Sequence, residues 1–304
     1  MHIFIPTGSN YQDVKRILTE NGILLNVNTF EWLAERKNYP NNVKPGRYLI
    51  KANWGNNELI NLLRSGQQDP VKLKFNNLRT KQQLAGSISK QLELDSLSLI
   101  RIIESNEEMG KYGLNSETAV LLFLPNTYEF YWNTSAEEFV ERMSREYKNF
   151  WDDSRKEKAE KMGLNPVKVA ILASIVQMET NKKDEMPRIA GVYLNRLKIN
   201  QPLQADPSVV FAVGDFTIKR VLNKHLEYDS PYNTYKYAGL PPGPITIPEP
   251  TTIDKVLDFE QHNYFYFCAK DDFSGYHVFS RNYSQHLQNA RRYQQALNAR
   301  NIKR

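Results

Sequence analysis

A chain of 304 residues, 40% hydrophobic and 24% charged, has an ordinary globular balance and room for two domains, or for one with an added module. Its net charge of +6 favours an anionic neighbour, but the basic residues are scattered apart from a run at 298–304. No zinc-finger spacing, RNP-type motif or basic helix occurs, so no nucleic-acid partner is expected. The single cysteine, Cys268, excludes an intrachain disulfide, and no apolar run reaches the ~18 residues of a membrane-spanning helix.

In chain order, HIFIP predicts a strand and YQDVKRILTENGIL an amphipathic helix with Val14, Ile17 and Leu18 inward and Gly22 as its cap. NTFEWLAERKNY predicts a second helix, capped by Asn28 or Thr29. KPGRYLIKAN then reads as turn and strand, and NNELINLLRSGQ as a helix stopped at Ser65-Gly66. VKLKFNN alternates like a strand, and helices follow from Thr80 and in SLSLIRIIES. The strand-turn-helix order echoes the opening residues, as a degenerate repeat would. EEMGKYGLNSE reads as a linker. The aromatic cluster TYEFYW precedes a helix capped by Thr134 or Ser135, with Glu138 as its box partner.

Asn165 and Pro166 are helix-starting residues, and Val167 to Met178 are apolar on nearly every face, so this helix is expected to be buried on all sides. Near its end Glu179 shares a stripe with Leu172, Ile175 and Val176, aiming the carboxylate at the core. Burial and the negative end of the helix dipole both oppose its ionisation, as a general acid working near neutral pH requires. A buried ion pair of Glu179 with Arg188 or Arg196 accounts for the same spacing. Pro187 starts the next helix, PRIAGVYLNRLKI. A long Pro-rich loop is expected over 201–250, then strands at NYFYFCAK and YHVFS around a turn, and a final helix.

There is no nucleophile elbow, no phosphate-cradling glycine loop and no metal spacing among the five histidines, so neither metal nor cofactor is expected. His277 alone is placed near a cleft, as a strand histidine bonded to backbone. The residues that could form a site are Glu179, Asn195, Gln204, Asp206, Tyr232, Asn233, Tyr235 and His277. Amides and phenols around one raised-pKa acid suit cleavage of an amino-sugar polymer. Most glycosidases use two carboxylates; Asp206 is the second candidate, although Asp-Pro equally starts a turn or caps a helix.

ILASIVQMET, IAGVYLNRL, PLQADPSVVFAVG, SPYNTYKYAGLPPGPI and GYHVFSRNYSQHLQNARRY, with LFLPNTYEFYWNTSAEEFVERM before them, resemble in order the blocks of the endolytic murein transglycosylases, the YceG-like or MltG family. The resemblance implies an α+β fold: a LysM-like module over 1–68, a small strand-helix unit and linker over 69–115, and a catalytic domain over 116–304 with a central buried helix. Members commonly carry two acids in a VEKET-like segment, where this chain has Gln177 and Glu179. Gln177 points about 200° away around the helix, so the family's catalytic acid maps onto Glu179.

The implied activity is that of a lyase that cuts the MurNAc–GlcNAc β-1,4 bond inside peptidoglycan strands, leaves 1,6-anhydroMurNAc ends and terminates strand elongation. The other site residues, Gln204, Asn233 and Tyr235 among them, would orient the glycan. The implied partners are penicillin-binding proteins and the elongation machinery. The implied place is the cytoplasmic membrane, spanned once by an N-terminal helix missing here, with this portion facing the periplasm or outside. Two alternatives are a muramidase-type hydrolase with Asp206 positioning water, and a noncatalytic peptidoglycan-binding scaffold.

Overall fold

The computed structural model describes residues 1–24, 26–76 and 78–300; Leu25, Asn77 and 301–304, where part of the basic run falls, lie outside the described residues. Packing divides the chain into two units. Unit 1 comprises Met1–Phe75, Gln82–Ile102 and Asn126–Glu141, and unit 2 comprises Asn76–Lys81, Ile103–Pro125 and the chain from Arg142 onward.

In unit 1, strand β1 (His2–Ile5) is followed by helices α1 (Tyr11–Glu20) and α2 (Val27–Arg36), strand β2 (Gly46–Leu49) and helix α3 (Asn56–Ser65). Asn10 and Asp13 form a capping box on α1, whose Val14 and Leu18 lie four apart and are fully buried, while Ile17 is only half-buried. The cap at its other end is Asn21. Gly22 stands one place later at φ 66°, where a glycine relieves the strain of the left-handed turn. Helix α2 starts earlier than expected because Asn26, not Asn28 or Thr29, accepts the first-turn N–H, that of Thr29. β1 and β2 pair antiparallel with Ile3 opposite Tyr48, and both side chains enter the core with Leu18, Phe30, Ile60 and Leu63.

Strand β3 (Val71–Lys74), helix α4 (Lys81–Ser89) and helix α5 (Ser96–Glu104) follow as expected. The supposed linker contains a short helix, α6 (Asn106–Gly110), because Ser105 caps it through the Glu108 N–H. The aromatic stretch TYEF is a strand, β4 (Thr127–Phe130), antiparallel to β3 with Leu73 opposite Tyr128. So short a strand is marked only by a distant partner, which periodicity within the segment does not reveal. Ser135 and Glu138 exchange the expected capping-box bonds at the start of α7 (Ala136–Phe150).

Unit 2 contains helices α8 (Asp153–Lys161), α9 (Pro166–Glu179), α10 (Met186–Lys198), α11 (Asp206–Val213), α12 (Asn223–Leu226) and α13 (Pro250–Leu257), then strands β5 (Tyr266–Ala269) and β6 (His277–Ser280) and helix α14 (Tyr283–Ala299). Asn165 caps α9 by accepting the Lys168 N–H, and every residue from Val169 to Val176 is buried. The reason is that α8, α10, α11 and α13 all pack on α9, so its middle turns meet no water. The expected loop over 201–250 is interrupted by α11 and α12. The apolar run SVVFAV of α11 covers α9 rather than spanning solvent. Among the described residues there are fourteen α-helices and three separate two-stranded antiparallel sheets, an α+β fold around a central buried helix.

Candidate active site

Helix α9 ends on Glu179, whose carboxyl Oε1 accepts a hydrogen bond from the Tyr193 hydroxyl of α10 at 2.6 Å. Neither candidate cation takes Glu179 as an ion-pair partner. Arg188 pairs with Glu260 at 2.8 Å, and buried Arg196 donates to the carbonyls of Phe265 (2.7 Å) and Leu203 (2.5 Å). Burial pushes the Glu179 carboxyl up to about 7. The Tyr193 bond opposes this, the Asp206 charge adds to it, and the Arg196 charge draws it back. Although its carboxyl is densely surrounded, Glu179 as a residue keeps partial solvent exposure.

Asp206 is the first residue of α11 and is exposed; the Tyr235 hydroxyl donates to its Oδ1 at 2.6 Å. Burial and then this carboxylate push the Tyr235 hydroxyl far above the usual phenol range, so it remains a donor. The backbone N–H of Gln204 donates to the Thr234 carbonyl at 3.0 Å, and that of Ala205 to Thr234 Oγ1 at 3.0 Å, stitching the start of α11 to the Tyr-Asn-Thr-Tyr loop. Gln204 is held at φ 50°, a left-handed conformation that costs an L-residue about 1 kcal/mol, and its side chain stands exposed. Glu179, Asp206 and Tyr235, joined by Tyr193 and Arg196, thus form one electrostatic cluster beside Gln204.

The remaining expected residues are engaged elsewhere. Asn233 is fully buried, its Nδ2 donating to the carbonyls of Leu226 (2.9 Å) and Tyr228 (2.8 Å) while its Oδ1 accepts from the Tyr235 N–H. It shapes the loop that carries Tyr235. Asn195 donates to the carbonyls of His262 (2.8 Å) and Tyr264 (3.0 Å), binding α10 to the segment before β5. Tyr232 donates to Glu117 at 2.8 Å. His277 bonds a buried carboxylate: its Nδ1 lies 2.9 Å from Glu185 Oε2, and its backbone N–H donates to Oε1 at 3.0 Å.

Two clefts share Arg79 and Met178, the latter next to Glu179 in the chain. One, of about 530 Å³, is lined by Gln177, Thr180, Asn181, Lys183 and Glu249; the other, of about 250 Å³, by Asp206, Phe211, Phe216 and Lys219. Gln177 holds a wall of the first, donating to the Ile247 carbonyl at 3.2 Å and accepting from the Glu249 N–H at 2.6 Å. An amide does both at once, whereas an ionised carboxylate only accepts. Gln177→Glu is therefore expected to lower unfolding free energy by about 1–3 kcal/mol at pH 8, with most of the loss regained under acid conditions that protonate the new carboxyl. Urea unfolding at the two pH values measures it; equal stability of variant and parent at pH 8 would count against the clamp.

Tyr193 was not among the expected site residues and Arg196 was expected only as an ion-pair partner of Glu179, although both sit on the buried face of IAGVYLNRL. A phenol and a guanidinium three apart among core residues are the signal that could have found them, since buried polar groups need partners.

The YceG-like family model matches residues 3–292. The chain belongs to the YceG-like family. Relatives named endolytic murein transglycosylase include one from Bacillus subtilis (strain 168), 28% identical, with the match covering 94% of this chain and 82% of the relative. Another, from Streptococcus pneumoniae (strain D39), is 25% identical, and its match covers 94% of this chain and 57% of the relative. A crystal structure of a putative YceG-like protein from Listeria monocytogenes matches with TM-score 0.62 and 26% identity, covering 95% of this chain and 98% of that one. The match spans both units, so the cluster at Glu179 belongs to a YceG-like scaffold.

Proposed function

We propose that the protein is an endolytic lytic transglycosylase acting on peptidoglycan. The observation that carries this is the state of Glu179: a carboxyl free of ion pairing, raised to about 7 by burial, and partly exposed at the end of its helix. The names of the relatives support the substrate class. Protonated Glu179 gives its hydrogen to the oxygen of the MurNAc–GlcNAc β-1,4 bond as that bond breaks at C1. The MurNAc N-acetyl oxygen closes on C1 as an oxazolinium. Ionised Glu179 then removes the C6-hydroxyl proton, and O6 displaces the acetamido oxygen to form the 1,6-anhydro ring. Glu179 ends protonated and no water is consumed, so one carboxyl suffices. Two clefts that share Arg79 and Met178 suit a strand gripped in its middle.

Because the first step needs the protonated acid, turnover is expected to fall as pH rises through about 7, and a rate unchanged between about pH 5.5 and 8.5 would oppose the acid role. Exposed Asp206, whose charge acts on Glu179, favours one second reading, a muramidase in which it positions water. Mass spectrometry of digested strands decides: anhydro ends support the lyase, and reducing ends the hydrolase.

The same proposal extends to the setting. The substrate lies outside the cytoplasmic membrane, so this portion faces outward beside penicillin-binding proteins, ending nascent strands, with an additional segment holding the protein to the membrane. Among the described residues no helix is long and apolar enough to cross a membrane. The β-α-α-β-α order of the first module supports a LysM-like glycan grip.

A further inference from the structure

We infer that Tyr193 is a positioning residue that keeps Glu179 Oε1 as an acceptor, so that the transferable proton resides on Oε2. This rests on the general-acid reading of Glu179 and adds to it which oxygen works and what holds it. The hydroxyl donates to Oε1 at 2.6 Å, and a protonated carboxyl whose one oxygen already accepts carries its hydrogen on the other. Once the proton has left, the same bond favours the carboxylate, which takes the C6-hydroxyl proton back on Oε2.

Tyr193 has little freedom to do anything else. It is 1% exposed, and Phe267 meets its ring edge-on with centroids 5.9 Å apart at 81°. Phe267 in turn meets the His277 ring at 5.3 Å and 84°, and His277 is tied to Glu185 in the connection that follows Glu179. The contacts thus close a ring from the acid through α10 and β5–β6 back to the acid's own connection. Burial, and next the Glu179 charge, keep the phenol well above its usual range, so it donates across the working pH.

The other groups that act on Glu179 are Arg196 from α10 and Asp206 from α11, while the Glu179 charge in turn acts on Tyr235 from the loop after α12. Helices α8 and α13, also packed on α9, direct charged groups at each other, in the pairs Arg155–Asp254 and Lys158–Asp258. Of the groups acting on Glu179, Tyr193 alone donates a hydrogen bond to its carboxyl among the described residues.

Two substitutions with opposite effects test this. Tyr193→Phe removes the donor while keeping the ring, and is expected to raise the Glu179 ionisation by about 1 pH unit, tenfold in its constant. It should also lower the rate at acid pH ~10-fold, as the carboxyl loses its orientation. Replacing Tyr193 with 3-fluorotyrosine strengthens the donor and should move the ionisation the other way. Carbon NMR titration of the Glu179 carboxyl reads the ionisation without any turnover, and the pH–rate profile reads it through cleavage of glycan strands. Opposite shifts in the NMR titration support the inference even if no cleavage were found, which would defeat only the transglycosylase reading. Two folded variants with an unmoved Glu179 titration, or shifts of the same sign, would overturn it.

Discussion

Glu179→Gln is expected to lower strand cleavage by ~10²–10⁴-fold, the usual worth of a positioned general acid–base, while glycan binding persists. The amide has nearly the shape of the acid, and its carbonyl oxygen can still accept the Tyr193 bond seen at 2.6 Å. Loss of activity therefore reports the missing proton and not a collapsed site. The same variant should be more stable than the parent at alkaline pH. The carboxyl is raised from 4.5 to about 7 in the folded protein, so its contribution to stability is fully present below about 4.5 and is lost as pH rises through about 7. Above that, the parent holds a poorly solvated charge that the amide lacks, a difference on the order of 2 kcal/mol or about 4–8 °C in Tm. At pH 4 the advantage should vanish. Differential scanning calorimetry at pH 4 and 8, beside a cleavage assay, tests both halves. A variant that cleaves as well as the parent would end the assignment of Glu179 as the acid, and a parent that cleaves nothing would leave a binding scaffold.

Asn233→Leu is expected to be nearly as damaging by another route. Leucine has the same heavy-atom branching as asparagine, but it strands the carbonyls of Leu226 and Tyr228 and the Tyr235 N–H, all now bonded to a side chain with no exposed surface. Each unsatisfied buried group costs about 1–3 kcal/mol, so a total loss of roughly 3–5 kcal/mol should appear in chemical denaturation. The folded fraction should also cleave more slowly, because Tyr235 and with it Asp206 lose their places. Tyr235→Phe removes only the bond to exposed Asp206 and should cost less than about 1 kcal/mol. If the two variants proved equally stable, Asn233 would not be the loop's organiser.

The contrast between these two residues explains what was legible. Glu179 was readable because its signal is local: a cap at Asn165, an uninterrupted apolar run, and a single carboxyl on its core stripe. Asn233 was readable as a residue but not in its role, since its partners are backbone carbonyls brought round by a turn. The same holds for Asn195 and His277, whose side chains bond a carbonyl pair and Glu185 that lie far off in the sequence.

Elements divide along the same line. Capping and periodicity act within one or two helical turns, and residues there stated α1, α7, α9 and α10 directly. Strand β4 and helix α11 needed partners elsewhere in the chain, β3 for the one and α9 for the other, before their short patterns meant anything. By itself, the order of residues determined that a hydrophobic helix would be buried and would end on an acid. Only the tertiary structure decided that the acid meets a phenol rather than a guanidinium. The choice depends on which face of α10 lies against the end of α9, and many weak contacts distributed over unit 2 set that jointly.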